Sequence, residues 1–333
     1  MVVTWVASIS LFRIGSRDQY YLTALILVVM TEHTAKVAFR PGNDALAYLP
    51  EGPCQYGEGK LSWVAIQHGG ESCEGSINVL DLGSGSNQQH ILPGRPGFAF
   101  PTEDQSVFLA GIERKVGFYN ISSGQWVEPP GEVSGEEDGT IINDGVAYRD
   151  GVIFGTKDLA FTDPKAALYL WFPEMREPVK LRGGQTCSNG KIILTREGKE
   201  FLLDIDTPTK LVVEYPLDGD GQQLGEPKTV LDLREVASYP DGMVMTPDGR
   251  SVIIAMYNPE NVEEGEARQH SLVDGRLEAV WKTPGSPRVT CPLLMPIEGE
   301  SALFLTTAVE HMPEDQKVQH PNAGCLFRGE FPT

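Results

Sequence analysis

Positive charge, paired cysteines and long apolar runs are all scarce in this chain of 333 residues. Lysine and arginine total 27 against 46 aspartates and glutamates, a formal net charge of −19. A surface of that sign repels phosphate backbones, which excludes nucleic acid as a partner. The five cysteines (Cys54, Cys73, Cys187, Cys291 and Cys325) are odd in number, and none forms a CxxC pair. That excludes a disulfide framework and a zinc knuckle, and leaves reduced thiols in a cytoplasmic protein as the simplest reading. The six histidines show no HxH or HxxxH spacing, and neither a GxSxG elbow nor a phosphate-binding glycine loop occurs. The apolar run at residues 20–30 (YYLTALILVVM) has 11 residues, whereas a membrane span needs roughly 20. It resembles the apolar part of an export signal and follows Arg13 and Arg17, but Asp18 intrudes and no small-x-small cleavage site follows. Residues 1–29 are therefore expected to lie outside the fold, as an upstream extension or, failing that, a weak export signal. The folded domain is expected over 30–333.

What the chain does have is 36 glycines and 24 prolines among short β-branched runs, the mark of many short strands. The clearest unit is YPDGMVMTPDGRSVIIAMYN at residues 239–258. In it, strand Met243-Val244-Met245 and strand Val252-Ile253-Ile254 flank the turn Pro247-Asp248-Gly249-Arg250. Similar turns, each followed by an apolar β-run, begin at Glu58, Asp104, Asp150, Glu197, Asp248 and Glu298. The steps between them are 46, 46, 47, 51 and 50 residues. Each of the first four copies has room for two more strands, at 77–82 and 89–92, 116–119 and 125–127, 167–171 and 178–181, and 211–215 and 228–231. Four strands per repeat of this length is the arithmetic of a propeller blade. The expected fold is an all-β, six-bladed β-propeller with four-stranded antiparallel blades. Residues 35–39 and 326–328 should pair within one blade and close the ring. The acidic stretch 260–266 reads as a loop, with a short helix as the alternative.

Seven or eight residues before five of the six turns stand Glu51, Asn143, Asn189, Asp241 and Cys291; only the second copy, around Gly97-Phe98-Ala99, is apolar there. In a propeller the first strand of each blade lines the central channel. Equivalent positions at its start therefore form a ring at one mouth. Asn-Gly and Asp-Gly are turn formers, so each motif alone is weak. Four polar residues in one register, with the chain reversals already supplied downstream, call for another reason. Two carboxylates and two carboxamides are oxygen donors for a hard divalent cation: calcium first, with magnesium, manganese or zinc as alternatives.

The motifs EGP at Glu51, NDG at Asn143 with GT at Gly155-Thr156, SNG at 188–190 and PDGM at 240–243 occur in order. They are followed by VTC at 289–291, LTTA at 305–308 and GCLFR at 324–328. In this set, over residues 40–331, the chain resembles the senescence marker protein (regucalcin), gluconolactonase and luciferin-regenerating enzyme family. The resemblance implies a six-bladed propeller with one divalent cation held by Glu51, Asn189 and Asp241. It also implies that Asn143 orients the substrate and that Asp241 activates the attacking water. Animal members carry an arginine where Ile141 stands here, and a glutamate soon after the GT. Lys157 and Asp158 occupy that stretch and are the substitutes for a substrate contact. The aspartate that follows the SNG hairpin in the family matches either Asp204 or Asp206.

The expected function is metal-dependent opening of a small-molecule lactone, with no nucleic acid or membrane partner and a monomeric or homodimeric state. A calcium-binding propeller without catalysis is the alternative from another class, and the missing arginine favours it. A metal-dependent esterase or phosphotriesterase-like hydrolase is the third reading, because a polarising ion and a base do not specify a ring lactone.

Overall fold

The computed structural model describes residues 2–6, 28–134 and 138–332. Six sheets surround one channel, and each innermost strand touches the innermost strands of the blades before and after it. Blade I comprises Pro50–Gln55, Lys60–Ala65, Ser76–Asp81 and Asn87–Ile91. Blade II comprises Pro96–Pro101, Val107–Ile112, Lys115–Asn120 and Gln125–Trp126, with Gly131–Glu132 pairing its third strand. Blade III is Thr140–Tyr148, Gly151–Asp158, Ala166–Trp171 and Val179–Gln185, and blade IV is Ser188–Arg196, Lys199–Asp206, Leu211–Pro216 and Lys228–Asp232. Blade V is Tyr239–Met245, Ser251–Tyr257, Glu264–Ser271 and Leu277–Pro284. Blade VI is Val289–Ile297, Glu300–Thr307 and Leu326–Glu330, completed by Lys36–Phe39 from the far end of the chain. The protein is thus a six-bladed β-propeller. The repeated turns all join the first and second strands, as their spacing implies.

Ring closure takes the expected form. Leu326 pairs with Phe39, Phe327 with Val37 and Arg328 with Lys36, antiparallel. Hydrophobic layers then glue blade to blade. Phe98 of blade II lies 6.0 Å from Phe154 of blade III, which stacks on Tyr169 at 5.5 Å. Blade V is wider than expected. Val28–Thr34 adds to its outer strand in parallel, and Val2–Val6 pairs antiparallel with Val28–Thr34. The expectation that residues 1–29 stand outside the fold falls mainly on residues 7–27, which lie outside the described residues.

One reading is corrected. Only residues 258–263 form a loop, and Glu264–Ser271 is a strand. Its charge hid it. Glu266 faces Lys282 across the sheet and contacts it at 2.8 Å, while Gly265 and Ala267 face inward. Cross-strand ion pairs let a charged sequence serve as a blade strand. The short α-helix found in the described residues after blade I is Glu314–Gln319, in the long loop of blade VI.

The closing strands generate a prediction. Phe327 is buried, whereas its cross-strand partner Val37 is exposed. Phe327→Ala should cost roughly 3–5 kcal/mol in a denaturant melt, and Val37→Ala about 0.5 kcal/mol or less. Equal losses would mean that the closing strand, and not its buried side chain, limits stability.

Candidate functional site at the channel mouth

All six inner strands break register at the same place. The breaks lie between Glu51 and Cys54, Pro96 and Phe98, Ile142 and Gly145, Asn189 and Lys191, Pro240 and Met243, and Val289 and Pro292. A bulge frees one or two residues from the ladder and re-aims their side chains. Asn143, Asp144, Asp241 and Cys291 are such freed residues, and Glu51 and Asn189 stand immediately before their breaks. Glycine makes the close approach of neighbouring bulges feasible. A Cβ on Gly97 would sit 2.2 Å from the Asn143 carbonyl oxygen, and one on Gly190 would sit 2.6 Å from that of Asp241.

Hydrogen bonds then fix the amides across three blades. Asn143 Nδ2 donates to Asn189 Oδ1 at 2.7 Å and to the Ser188 carbonyl at 2.9 Å. Asn189 Nδ2 donates to Thr207 Oγ1 at 2.8 Å, and Thr207 donates to the Pro240 carbonyl at 2.9 Å, beside Asp241. On the other flank, Thr290 Oγ1 donates to the Pro50 carbonyl at 2.7 Å, beside Glu51. The carboxamides are therefore oriented with Asn189 Oδ1 keeping a second lone pair. Asn143 Oδ1 accepts from no described residue.

The carboxylates are held differently. Asp241, 8% exposed, accepts no hydrogen bond from a described residue, and Glu51 accepts one, from Gly52 N at 2.9 Å. Burial, and then the charge of Asp144, pushes Glu51 up to about 8. Burial, and then the charges of Glu51 and Asp144, drives Asp241 well above the usual carboxylate range. Asp144 is itself raised, chiefly by burial. Carboxylates from blades I, III and V thus repel one another electrostatically at the mouth. Lys157 acts on Glu51 and Asp241 as the opposing cation.

Glu51, Asn143, Asn189, Asp241 and Lys157 are all drawn to the mouth. Lys157 is half-buried and is the direct cross-strand partner of Ile141, so an ammonium stands beside the position where the family arginine is missing. Asp158 is turned elsewhere. Its buried carboxylate accepts from the N–H groups of Ala160, Thr162 and Asp163 at 3.1, 2.9 and 3.0 Å, and lies 3.1 Å from Lys165. Those N–H groups hold it far below the usual carboxylate range, as befits a loop staple. Asp204 binds the buried Lys191 at 3.4 Å. Asp206 caps the N–H groups of Thr186 and Cys187, which fixes the entry to Asn189.

Sequence reasoning did not assign Asp144, although it stands inside the NDG motif. It also passed over Thr207, whose hydroxyl bridges blades IV and V. The thiols of Cys54, Cys187 and Cys291 neighbour the site and are all free. Burial pushes Cys54 up to about 12 and raises the other two, which makes them poor nucleophiles.

The donor set fits a hard divalent cation. Carboxylates that repel one another, with a single backbone N–H on Glu51 and on Asp144 and none from a described residue on Asp241, call for a compensating positive charge. Among the described residues no three His, Cys, Asp or Glu side chains close on a single point. An ion here would draw on amide oxygens as well as carboxylates.

Comparison with known proteins agrees with this architecture. A Bacillus subtilis (strain 168) protein, YvrE, named as a candidate sugar lactone lactonase, is 27% identical over 155 residues. That match covers 46% of this chain and 50% of the relative, so the chain spans about half the length of that protein. The calcium-binding protein regucalcin of Agrobacterium tumefaciens strain C58 superposes with a TM-score of 0.73 at 20% identity, over 90% of this chain and 94% of that one. A Xanthomonas campestris gluconolactonase superposes with a TM-score of 0.60 at 13% identity, over 90% and 95%. At such identities the superpositions speak for the fold alone. The pattern of the SMP-30/gluconolactonase/LRE-like region, however, matches residues 49–309, most of the ring. The chain belongs to the SMP-30/gluconolactonase/LRE-like family.

Proposed function

We propose that the protein is a metal-dependent lactonase acting at the channel mouth. One observation carries the reading. Asp241, a buried carboxylate without a hydrogen-bond donor, stands among Glu51, Asp144 and two oriented carboxamides. Glu51, Asn189 and Asp241 would hold the ion, with calcium as the first choice. A bound divalent cation would supply the charge that polarises a ring carbonyl and returns the crowded carboxylates to their ionised form.

The chain's own groups do the rest. Asp241 takes a proton from the water that attacks the carbonyl carbon. The acyl C–O bond of the ring breaks, the ring oxygen takes up the proton that Asp241 holds and becomes a hydroxyl, and a hydroxy acid is released. Asn143 offers its unused Oδ1 to a substrate hydroxyl, because its Nδ2 is already committed. Lys157, whose ammonium makes no hydrogen bond or ion pair with a described residue, donates to the substrate from blade III. Five unpaired thiols support a reducing, cytoplasmic setting. No helix among the described residues is long and apolar enough to cross a membrane. Ile141, in place of the family arginine, supports a second reading: a calcium-binding propeller without catalysis.

Two measurements test the catalytic role of Asp241 and the ligand role of Glu51. Asp241→Asn should lower kcat for lactone opening by about 100- to 10,000-fold, with metal content checked by elemental analysis. Undiminished activity at unchanged metal content would remove Asp241 as base, and absence of turnover on any lactone by the metal-loaded protein would favour the non-catalytic reading. The second measurement is thermal melting with and without calcium. Glu51 is raised from 4.5 to about 8 in the folded, metal-free protein. Between those values the folded state holds more protons than the unfolded chain, so stability falls as pH rises. The metal-free Tm should therefore decline from pH 5 to pH 8, and the gain from added calcium should widen over the same range. Glu51→Gln should flatten the metal-free slope. A calcium gain independent of pH would mean that Glu51 is not a ligand.

A further inference from the structure

A buried ion pair lies directly behind Asn189 and takes no part in the proposed chemistry. Lys191 and Asp204 are cross-strand partners in blade IV, and their side chains are 0% and 2% exposed. Both oxygens of the Asp204 carboxylate are engaged. Oδ2 accepts from Gln185 Nε2 of blade III at 2.5 Å. Oδ1 accepts from Ser188 Oγ at 3.4 Å and faces Lys191 Nζ at 3.4 Å. Gly155 of blade III leaves the space that this cluster fills. A Cβ there would stand 2.0 Å from Ser188 Oγ and 3.2 Å from Lys191 Nζ.

Stability does not account for the pair. The cost of taking two charges out of water can exceed their attraction, and two apolar side chains of similar volume often hold a core as well or better. What an apolar pair cannot supply is a hydrogen-bond donor, and the Lys191 ammonium spends one on the backbone. Its Nζ turns back two residues and donates to the Asn189 carbonyl at 2.9 Å. That carbonyl stands at the register break of blade IV, where Gly190 is the residue left out of the ladder. The Asn189 side chain is fixed separately, by Asn143 at 2.7 Å and Thr207 at 2.8 Å. Asn189 is thus restrained at its backbone as well as at its carboxamide, and the backbone restraint leads through Lys191 to Asp204.

We propose that Lys191 is a positioning residue whose ammonium, anchored by Asp204, holds the bulge so that Asn189 Oδ1 stays available to the ion. The inference rests on the reading that Glu51, Asn189 and Asp241 hold a cation, and it deepens that reading. Lys191 acts through Asn189 and is not itself a ligand. Its function is to set the affinity of the site for the ion, and the buried ion pair is what keeps its donor in place.

The test uses the full chain stripped of metal. Calcium affinity is measured by titration calorimetry, and the waters on a bound europium(III) ion are counted from its luminescence decay in H2O and D2O. The variant Lys191→Met/Asp204→Asn removes the ammonium and its counter-charge together, so net charge is unchanged and no buried charge is left alone. Its Kd for calcium should rise roughly 10- to 100-fold, as for other groups that orient metal ligands. Its europium ion should gain a water where Asn189 has withdrawn, and Asn189→Ala should gain the same water. The water count decides the matter whether or not the metal-free Tm moves. Should the double variant not fold, Lys191→Gln, one methylene shorter and uncharged, is read in the same way. Unchanged calcium affinity, or weaker affinity without the added water, would overturn the role of Lys191 and leave the ion site standing. Absence of calcium binding by the unaltered protein, or Asn189→Ala without effect, would overturn both.

Discussion

The site depends on how closely six backbones approach at one level of the channel. Several neighbouring inner strands share that level because one of them presents a residue without a Cβ. Gly97 and Gly190 do so directly against the carbonyls of Asn143 and Asp241. The register breaks fall at the same level of the six inner strands. Bulges in proteins often re-aim a side chain. Here six of them stand at equivalent positions, and what they turn toward the axis is chiefly polar oxygen.

The electrostatic character of the mouth comes next. A buried carboxylate is stable when donors or cations satisfy it. Asp158 and Asp204 obey that rule, the first within a cage of N–H groups and the second against Lys191. Glu51 and Asp241 do not, and the contrast within one molecule is informative. The fold readily supplies donors where a carboxylate is structural. At the mouth it supplies few: one backbone N–H each to Glu51 and Asp144 and none from a described residue to Asp241, while hydrogen bonds there orient Asn143 and Asn189. Carboxylates so sparsely satisfied beside oriented amides are what a cation site would require before the cation arrives.

Much of this was legible in the sequence because a propeller repeats. The even spacing of the turns implied the blade count, and a shared offset from each turn located Glu51, Asn143, Asn189 and Asp241 without any contact being known. Legibility failed where residues leave the repeat. Asp158 and Lys157 are adjacent in sequence and look equally suited to a substrate, yet strand alternation sends them to opposite environments. Asp144 was hidden because a bulge of two residues, and not one, occurs in blade III. The strand Glu264–Ser271 was missed because ion pairs, not apolar side chains, hold its face.

Closure of the ring by Lys36–Phe39 against Leu326–Glu330 has a consequence for the order of events during synthesis. The two pairing segments are among the most distant in the sequence, and contacts of that separation form late. A nascent chain that has emitted blades I to V owns Glu51, Asn143, Asn189 and Asp241 but not the geometry that unites them, because an open arc has no axis for them to face. The mouth becomes a site only when the final strand arrives and the arc turns into a circle.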